Sequence, residues 1–496
     1  MYNDLINDML SDSLKPSYGN IHVYLSSYSK VGATKVVMIK QDILKFLVVI
    51  GEDDLYHELQ GFEYPGFKLC FPNHENRIVL NKFFPYTAPV ANVDHKTSIG
   101  LGDRLGLATP GHIKALQGTE VFPIFAQQSI RELDMTGRTY EDVIDAAAYA
   151  VFQEGYKKGY GADGDHLKTK DDILKELSLG ATMITLDSSE KIDNDVLHLS
   201  VDNLVAKYEN IDASILSYYE DKYLDCKIPL DGFKDPISKV QLMKDVLTYY
   251  KAIDFIEEVY TEIISKHEDP LDFEISIDET STPTDPISHY IIAKELKDRG
   301  IIISTMAPRF IGEFQKGIDY RGDLDLFRED IRSHVTIAEH FDYRISVHSG
   351  SDKFSIFPIV AKETHGKFHV KTAGTNWLEA LEVISENEPD LYRKIHTHAL
   401  EKFKDATSLY HVTTNLNNIK PLDQVKDSDL PKYLQNDDAR QLLHITYGYI
   451  LRDKDDQGKF LLREPFFKAL DKHSESYKAH LDEHISKHLT LLDLKK

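Results

Sequence analysis

Short apolar segments alternate with helical segments through most of this chain. Eight of these segments end in polar or charged residues, and they fall at 98–104, 122–129, 160–166, 182–188, 273–279, 301–308, 343–350 and 367–375. Strands that alternate with helices form parallel βα units. Eight such units predict an α/β fold, a closed (β/α)8 barrel of the TIM type, with its functional side chains at the carboxyl ends of the strands. A doubly wound open sheet is the alternative that the pattern leaves open.

The same pattern divides the chain into three parts. Residues 1–94 contain the runs TKVVMIK and KFLVVIG and predict a small α/β or β-rich N-terminal part. Residues 95–400 hold the predicted barrel, and a helical insertion at 190–272 is expected to overhang its mouth. Residues 401–496 are expected to form a helical C-terminal region.

Charge and cysteine content exclude several classes of protein. The formal net charge is −23 at pH 7 and no basic patch is found, which argues against a nucleic-acid partner. The 2 cysteines are far apart in the sequence, which favours a reducing compartment over a disulfide framework. No apolar run has the length of a membrane span, and the acidic N-terminus does not resemble a signal peptide. We therefore expect a cytoplasmic protein that binds a small molecule and no membrane.

Alternation along the predicted strands turns several charged side chains into the barrel. In FEISIDE the phenylalanine and isoleucines share the face toward the helices, which leaves Glu274 and Asp278 pointing inward. In YRISVHSG and KFHVKTAG the same rule turns His348, His369 and Lys371 inward. Burying such groups is costly unless they serve one another or a ligand. The sequence therefore predicts a polar site inside the barrel.

Two histidines at strand ends indicate a metal site. His166 lies at the end of the third predicted strand, in GYGADGDHLKT, and His348 lies at the end of the seventh. Two imidazoles and one carboxylate often form a divalent-metal site with positions left for substrate oxygens. The spacing does not decide which carboxylate completes the site, and the candidates are Glu313, Asp187 and Asp278. A single histidine is more often a surface or core residue, so the prediction depends on both lying at strand ends.

The glycine-rich segment SIGLGDRLGLATPGH nearly matches a dinucleotide-binding fingerprint. Its third glycine, Gly106, comes one residue late, and Pro110 and Gly111 interrupt the helix that should follow. We therefore expect no nicotinamide site here, and instead a strand end where a substrate approaches the backbone closely.

The chain resembles the tagaturonate/fructuronate epimerases of bacterial hexuronate catabolism. The motifs that carry the resemblance are IGLGDRLGLATPGHI, GYGADGDHLKT, FEISIDET, APRFIGEFQKGIDY, SVHSGSDKFSIFP and HVKTAGTNWLEAL, which cover roughly residues 95–385. The resemblance implies a metal-dependent epimerase on a barrel, with Asp165 as proton acceptor and Glu274 as proton donor. It also implies His166, Glu313 and His348 as ligands of a divalent cation such as Zn, Mn, Ni or Co.

The stereochemistry of these sugars limits the mechanism. Tagaturonate and fructuronate differ at a hydroxyl-bearing carbon that is not adjacent to the ketone, so removing a proton beside the ketone would invert the wrong centre. Oxidation of the hydroxyl would lack its usual cofactor without a dinucleotide fingerprint, which favours retro-aldol cleavage and reclosure. Lys371, Arg309 and Lys353 are candidates to hold the carboxylate of a keto-uronate substrate, although ordinary ion pairs explain each of them equally well.

Other classes of protein would use the same residues. A metal-dependent aldolase would release two three-carbon products, and a ketohexose 4-epimerase would act on a related uncharged sugar. A glycoside hydrolase built on the carboxylate pair would keep its activity after chelation of metals. A sugar-binding protein without activity would need fewer inward acids and histidines. We therefore expect an isomerase.

Overall fold

The N-terminal part of the chain is an antiparallel sheet with three helices. The computed structural model describes residues 2–372 and 374–496. The strands of the sheet are β1 (Ser17–Tyr18), β2 (Ile21–Val31), β3 (Thr34–Gln41), β4 (Leu44–Ile50), β5 (Phe62–Tyr64) and β6 (Phe67–Cys70). Their order is β1-β2-β3-β4-β6-β5. The helices are α1 (Tyr2–Leu10), α2 (Asp54–Glu58) and α3 (His74–Phe83).

A closed barrel of parallel strands follows. Its strands are β7 (Ser98–Gly100), β8 (Phe122–Ser129), β9 (Gly161–Leu167), β10 (Met183–Asp187), β11 (Asp272–Ile277), β12 (Thr305–Pro308), β13 (Arg344–Val347) and β14 (Phe368–Lys371). The order around the barrel, within the described residues, is β10-β11-β12-β13-β14-β7-β8-β9. Val370 pairs with Ile99 where the ring closes between β14 and β7. The predicted (β/α)8 barrel is therefore confirmed, and the open sheet is excluded.

Helices surround the barrel in the connections between its strands. They are α4 (Thr109–Ala115), α5 (Ile130–Thr136), α6 (Tyr140–Glu154), α7 (Lys170–Leu179), α8 (Val201–Tyr208), α9 (Ala213–Tyr223), α10 (Lys239–Glu262), α11 (Pro286–Asp298), α12 (Leu324–Phe341) and α13 (Phe357–Glu363). Helix α14 (Thr375–Asn387) follows the last strand, β14. The C-terminal helices are α15 (Pro389–Ala406), α16 (Asp437–Ile445), α17 (Tyr447–Arg452), α18 (Arg463–Lys472) and α19 (Ser474–Leu491). None of the described helices is long and apolar enough to cross a lipid bilayer.

Some predicted strands are longer than the observed ones. β8 matches its prediction, but β12 begins only at Thr305, because the start of the predicted run is a loop in which Ile302 is 75% exposed. The predicted eighth strand extended to residue 375, whereas β14 ends at Lys371. Ala373, within that prediction, lies outside the described residues.

Helices α8, α9 and α10 lie in the segment 190–272, but only part of this segment is an addition to the barrel. Val246, Ile253 and Ile256 of α10 pack in the same core as Phe273 of β11 and Ile291 of α11. The helix α10 therefore takes the crossover position between β10 and β11. Helices α8 and α9 pack against α10.

Two further cores join the flanking parts to the barrel. Val37 of β3 faces α1 on one side of the sheet. Its neighbour Val36 faces the helices α2, α3 and α6 on the other side. In the C-terminal region, Trp377 lies in a core that also contains Leu105 and Met135 from the connections after β7 and β8. The C-terminal helices therefore pack against the carboxyl end of the barrel.

Candidate active site

A bulge in β9 brings two adjacent side chains to the same site. The pairing register between β9 and β10 shifts so that Asp165 and His166 oppose the single residue Thr185. His166 has a φ of 58°, in the left-handed region. Bulges re-aim side chains, and such backbone conformations of non-glycine residues cluster at functional sites. In a regular strand these two neighbours would point to opposite faces.

Lys371 lies at the centre of a buried group of acids. Its Nζ is 2.8 Å from Asp163 Oδ2, 2.7 Å from Asp165 Oδ1 and 2.9 Å from Glu274 Oε1. The same ammonium donates to Thr185 Oγ1 at 2.6 Å. Burial opposes the charge, but the three carboxylates hold the pKa of Lys371 well above its ordinary value. The charge of this lysine, a predicted substrate-binding residue, is therefore paired with those of the acids.

The acids around Lys371 differ in their protonation. Burial raises the pKa of Asp163 to about 7. Burial acts in the same direction on Asp165, but Lys371 and His166 hold the pKa of Asp165 well below its ordinary value. Lys371 and His348 likewise outweigh burial and hold the pKa of Glu274 well below its ordinary value. Asp165 and Glu274 are therefore ionised at neutral pH, whereas Asp163 can carry a proton.

Glu274 projects from β11 into the barrel, as the alternation of FEISIDE predicts. Its Oε2 accepts a hydrogen bond from Thr305 Oγ1 at 2.6 Å, and its Oε1 accepts one from Thr185 Oγ1 at 3.2 Å. His348 Nε2 lies 2.7 Å from Glu274 Oε1. Residues of both neighbouring strands and of the loop after β13 therefore hold this carboxylate in one position.

His166, Asp278 and His348 form the candidate metal centre. One ligand atom of each lies within 4.8 Å of the others. His348 Nδ1 lies 3.2 Å from Asp278 Oδ2, yet this buried nitrogen makes no hydrogen bond to any described residue. Each imidazole also contacts a carboxylate outside this centre. His166 Nδ1 lies 2.9 Å from Asp165 Oδ1, and His348 Nε2 lies 2.7 Å from Glu274 Oε1. Such carboxylate–imidazole pairs orient metal-binding histidines.

The charge balance of this centre fits a divalent cation. Asp163, Asp165 and Glu274 face the ammonium of Lys371, and Asp278 faces the imidazole of His348. Burial opposes the charge on the imidazole of His348, but the nearby carboxylates raise its pKa to about 10. Metal binding at His348 would therefore displace a proton from this imidazole.

Glu313 does not reach the two histidines. It is exposed in the loop after β12, and its backbone pairs with Arg321. Asp187 accepts a hydrogen bond from the backbone N–H of Ser189 and lies outside the cluster. Asp278, which directly follows β11, lies with the two histidines in the candidate metal centre, whereas Glu313, which the resemblance implies as a ligand, does not. Spacing alone could not separate the three carboxylates, because the distance of each from the histidines depends on the tertiary structure.

The other predicted substrate-binding residues are engaged by the backbone. Lys353 is 1% exposed, and its Nζ donates to the carbonyl oxygens of Gln315, Ile318 and Ser351 at 2.9, 2.6 and 3.0 Å. Arg309 donates to a backbone carbonyl oxygen and lines an outer cavity. Lys353 therefore lines the inner cavity together with Lys371 but has its ammonium engaged by the backbone, whereas Arg309 lies at the outer cavity.

Two adjoining cavities open at the carboxyl end of the barrel. The inner cavity, of about 90 Å³, is lined by residues of the site and by Tyr410 and His444 from the C-terminal region. The outer cavity, of about 500 Å³, includes Arg309 and Glu313. Sequence reasoning missed Tyr410 and His444 because they lie far along the chain from the barrel strands.

The comparisons with known proteins agree with this architecture. Residues 24–492 match the family model of tagaturonate epimerase. The tagaturonate/fructuronate epimerase of Thermotoga maritima is 41% identical over 478 residues, which cover 95% of this chain and 97% of that protein. The glycerol-complexed crystal structure of fructuronate-tagaturonate epimerase UxaE from Cohnella laeviribosi is 51% identical, has a TM-score of 0.95 and covers 100% of this chain and 99% of its own. The native crystal structure of the same enzyme also has a TM-score of 0.95, at 99% coverage of both chains. The chain therefore belongs to the tagaturonate epimerase family, a family of carbohydrate isomerases.

Proposed function

We propose that this protein interconverts D-tagaturonate and D-fructuronate in hexuronate catabolism, with the help of a divalent cation such as Zn, Mn, Ni or Co. The observation that carries the proposal is the cluster of His166, Asp278 and His348 beside two separately held carboxylates, Asp165 and Glu274. The names of the relatives supply the substrate class.

The three cluster residues would hold the cation. Bound there, it would act as a Lewis acid that stabilises negative charge on the sugar oxygens near the ketone. Asp165 and Glu274 orient the two imidazoles through the contacts at 2.9 and 2.7 Å. The same carboxylates therefore combine two tasks, orienting the imidazoles and moving protons.

Retro-aldol cleavage assigns each acid one proton transfer. The hydroxyl at the carbon to be inverted loses its proton to Asp165, which is ionised and can accept it. The bond between that carbon and the carbon beside the ketone then breaks, which leaves an aldehyde and an enediolate. The aldehyde half turns, the carbon–carbon bond forms again on its opposite face, and the new alkoxide takes a proton from Glu274.

Glu274 must gain a proton before it can donate one. Asp163, whose pKa burial raises to about 7, is connected to it through the hydroxyl of Thr185, which lies 2.9 Å from Asp163 Oδ1 and 3.2 Å from Glu274 Oε1. Lys371 contacts both Asp165 and Glu274. A proton gained by one of these acids therefore changes the electrostatic potential at the other. The buried group therefore offers a route by which the acids return to their starting protonation.

Incubation of the purified protein with D-tagaturonate tests the proposal. We expect NMR spectra to show D-fructuronate, loss of turnover after chelation and its recovery on adding a divalent cation. Accumulation of three-carbon products would identify an aldolase. Turnover that survives chelation would contradict the proposed use of a metal. A preference for D-tagatose over D-tagaturonate would identify a ketohexose 4-epimerase.

A further inference from the structure

Five cationic side chains line the inner cavity, and most of them are already engaged. They are Arg104, Arg131, Lys316, Lys353 and Lys371. Arg104 is paired with Glu132 through Nε at 2.9 Å and Nη2 at 2.5 Å. Lys353 donates to three carbonyl oxygens, and Lys371 contacts three carboxylates. This leaves Lys316 and Arg131, neither of which forms an ion pair with a described carboxylate.

Lys316 lies between the candidate metal centre and the outer cavity. The described hydrogen bond of its side chain is the one that Nζ donates to Ser349 Oγ at 3.1 Å, and Ser349 directly follows His348. Lys316 lines both cavities, as does Arg131, which lies with its guanidinium 5.4 Å from the ring centre of Tyr410. Because the chain carries a net charge of −23, unpaired cations that face one cavity call for an anionic ligand there.

His444 offers a neutral donor in the same cavity. Its Nε2 lies 3.4 Å from Arg104 Nη1, and a guanidinium can only donate, so Nε2 accepts. Burial and the nearby Arg104 hold the pKa of His444 well below its ordinary value, so the ring is neutral and its proton is on Nδ1. That N–H is buried and has no hydrogen-bond partner among the described residues. A buried donor without a partner is costly unless a ligand accepts from it.

Gln127 provides a second unpartnered group at the cavity. Its side chain is 1% exposed and lines the inner cavity, and neither its Oε1 nor its Nε2 has a hydrogen-bond partner among the described residues. Gly100 leaves the space that this amide fills, because a Cβ there would collide with Gln127. An amide both donates and accepts, which suits the hydroxyl groups of a sugar.

We propose that Lys316 binds the carboxylate of the substrate, with the Nδ1–H of His444 as a second donor at that end of the sugar. The inference rests on the proposed function, since it concerns the orientation of a keto-uronate in the same cavity. The ketone and the inverted carbon face His166, His348 and the acids, so the carboxylate at the far end of the carbon chain reaches the cationic side. Lys316 thereby selects a keto-uronate over the matching ketohexose, in which a CH₂OH group replaces the carboxylate.

A pair of matched substrates tests this proposal. We expect Lys316→Met to lower kcat/KM for D-tagaturonate by about 10- to 100-fold, the range for a lost hydrogen bond to a charged group, and to leave kcat/KM for D-tagatose within about threefold. Lys316→Arg, which keeps the charge, should recover part of the activity on D-tagaturonate. Lys367→Met is the matched control, because Lys367 is exposed and lines a cavity at the opposite end of the barrel.

Calorimetric binding to metal-stripped protein gives a readout that does not require turnover. The wild type should bind D-tagaturonate more tightly than D-tagatose, and Lys316→Met should remove this preference. An equal loss for both sugars, or an undiminished preference in the variant, would overturn the role of Lys316. Failure of the wild type to turn over D-tagaturonate would instead contradict the proposed function, and the binding comparison would still decide whether Lys316 recognises a carboxylate.

Discussion

Asp278 Oδ2 lies 3.2 Å from His348 Nδ1, whereas Glu313 is exposed in the loop after β12. We expect Asp278→Asn and His348→Ala to lose bound metal, because losing a ligand costs more than the 10- to 100-fold effect of an outer contact. Glu313→Gln, the matched control, should keep full occupancy. Metal content by mass spectrometry and affinity by calorimetry check this. Loss of metal in Glu313→Gln alone would show that the loop after β12 rearranges to supply the ligand.

Substitution of the two proposed acid–base residues should lower turnover without loss of bound metal. Asp165→Asn and Glu274→Gln keep the shape of each side chain and remove its basicity, so we expect retained metal and a loss of about 10²- to 10⁴-fold in kcat. Asp187→Asn serves as the control, because Asp187 lies outside the cluster. Near-normal kcat in either amide variant would remove that residue from the proposed mechanism.

A labelled substrate distinguishes the routes of inversion. In retro-aldol cleavage the hydrogen on the inverted carbon stays with the aldehyde, so deuterium placed there should survive epimerisation in ordinary water. NMR or mass spectrometry of the product measures the label. Complete exchange with solvent would reject retro-aldol cleavage and leave the metal site and the two carboxylates unaffected.

Lys371 should be essential to the stability of the metal-free protein. Removing one partner of a buried charge group typically costs about 3–5 kcal/mol, because the remaining charges stay uncompensated. We expect Lys371→Met to lower the free energy of unfolding by about this amount at neutral pH. The loss should be smaller at acidic pH, where Asp163, Asp165 and Glu274 can take up protons. Denaturant titration at two pH values tests this, and a loss independent of pH would indicate a packing effect.

The C-terminal helix should weaken at alkaline pH. His484 of α19 lies 2.6 Å from Asp352 Oδ1 and 2.9 Å from Glu379 Oε1. Burial opposes the charge, but these carboxylates raise the pKa of His484 from 6.5 to about 10. The pKa of His484 is higher in the folded protein than in the unfolded chain, so the protonated imidazole stabilises the folded state. This stabilisation is complete at pH values below the unfolded-state pKa and is lost as the pH rises through the folded-state pKa.

Calorimetric melting of His484→Gln measures that contribution. The difference in Tm from the wild type should shrink between about pH 6 and about pH 9.5. His365→Gln is the control, because the side chain of His365 is 70% exposed. A constant difference for His484→Gln would contradict the assigned protonation.

Local patterns predicted the barrel and much of its interior. The period of two in FEISIDE identified Glu274 and Asp278 as inward residues, because strand geometry alone determines which face a side chain takes. Strand ends also located His166 and His348, since parallel strands bring their carboxyl ends to the same end of a barrel. The start of β12 could not be predicted, because buried apolar residues, Ile301 and Ile303, also occur in the loop before it.

Only the tertiary structure decided which of these residues meet. The bulge that turns both Asp165 and His166 toward the site depends on the pairing of β9 with β10, which no single strand encodes. The choice of Asp278 over Glu313 depends on the path of the loop after β12. His444 comes from the C-terminal region, and its position follows from packing around Trp377. The sequence by itself therefore determined the fold and the types of side chain in the barrel, because these follow from local periodicity. The candidate ligand set and the proposed carboxylate end of the cavity depend on contacts between residues that are far apart in the chain.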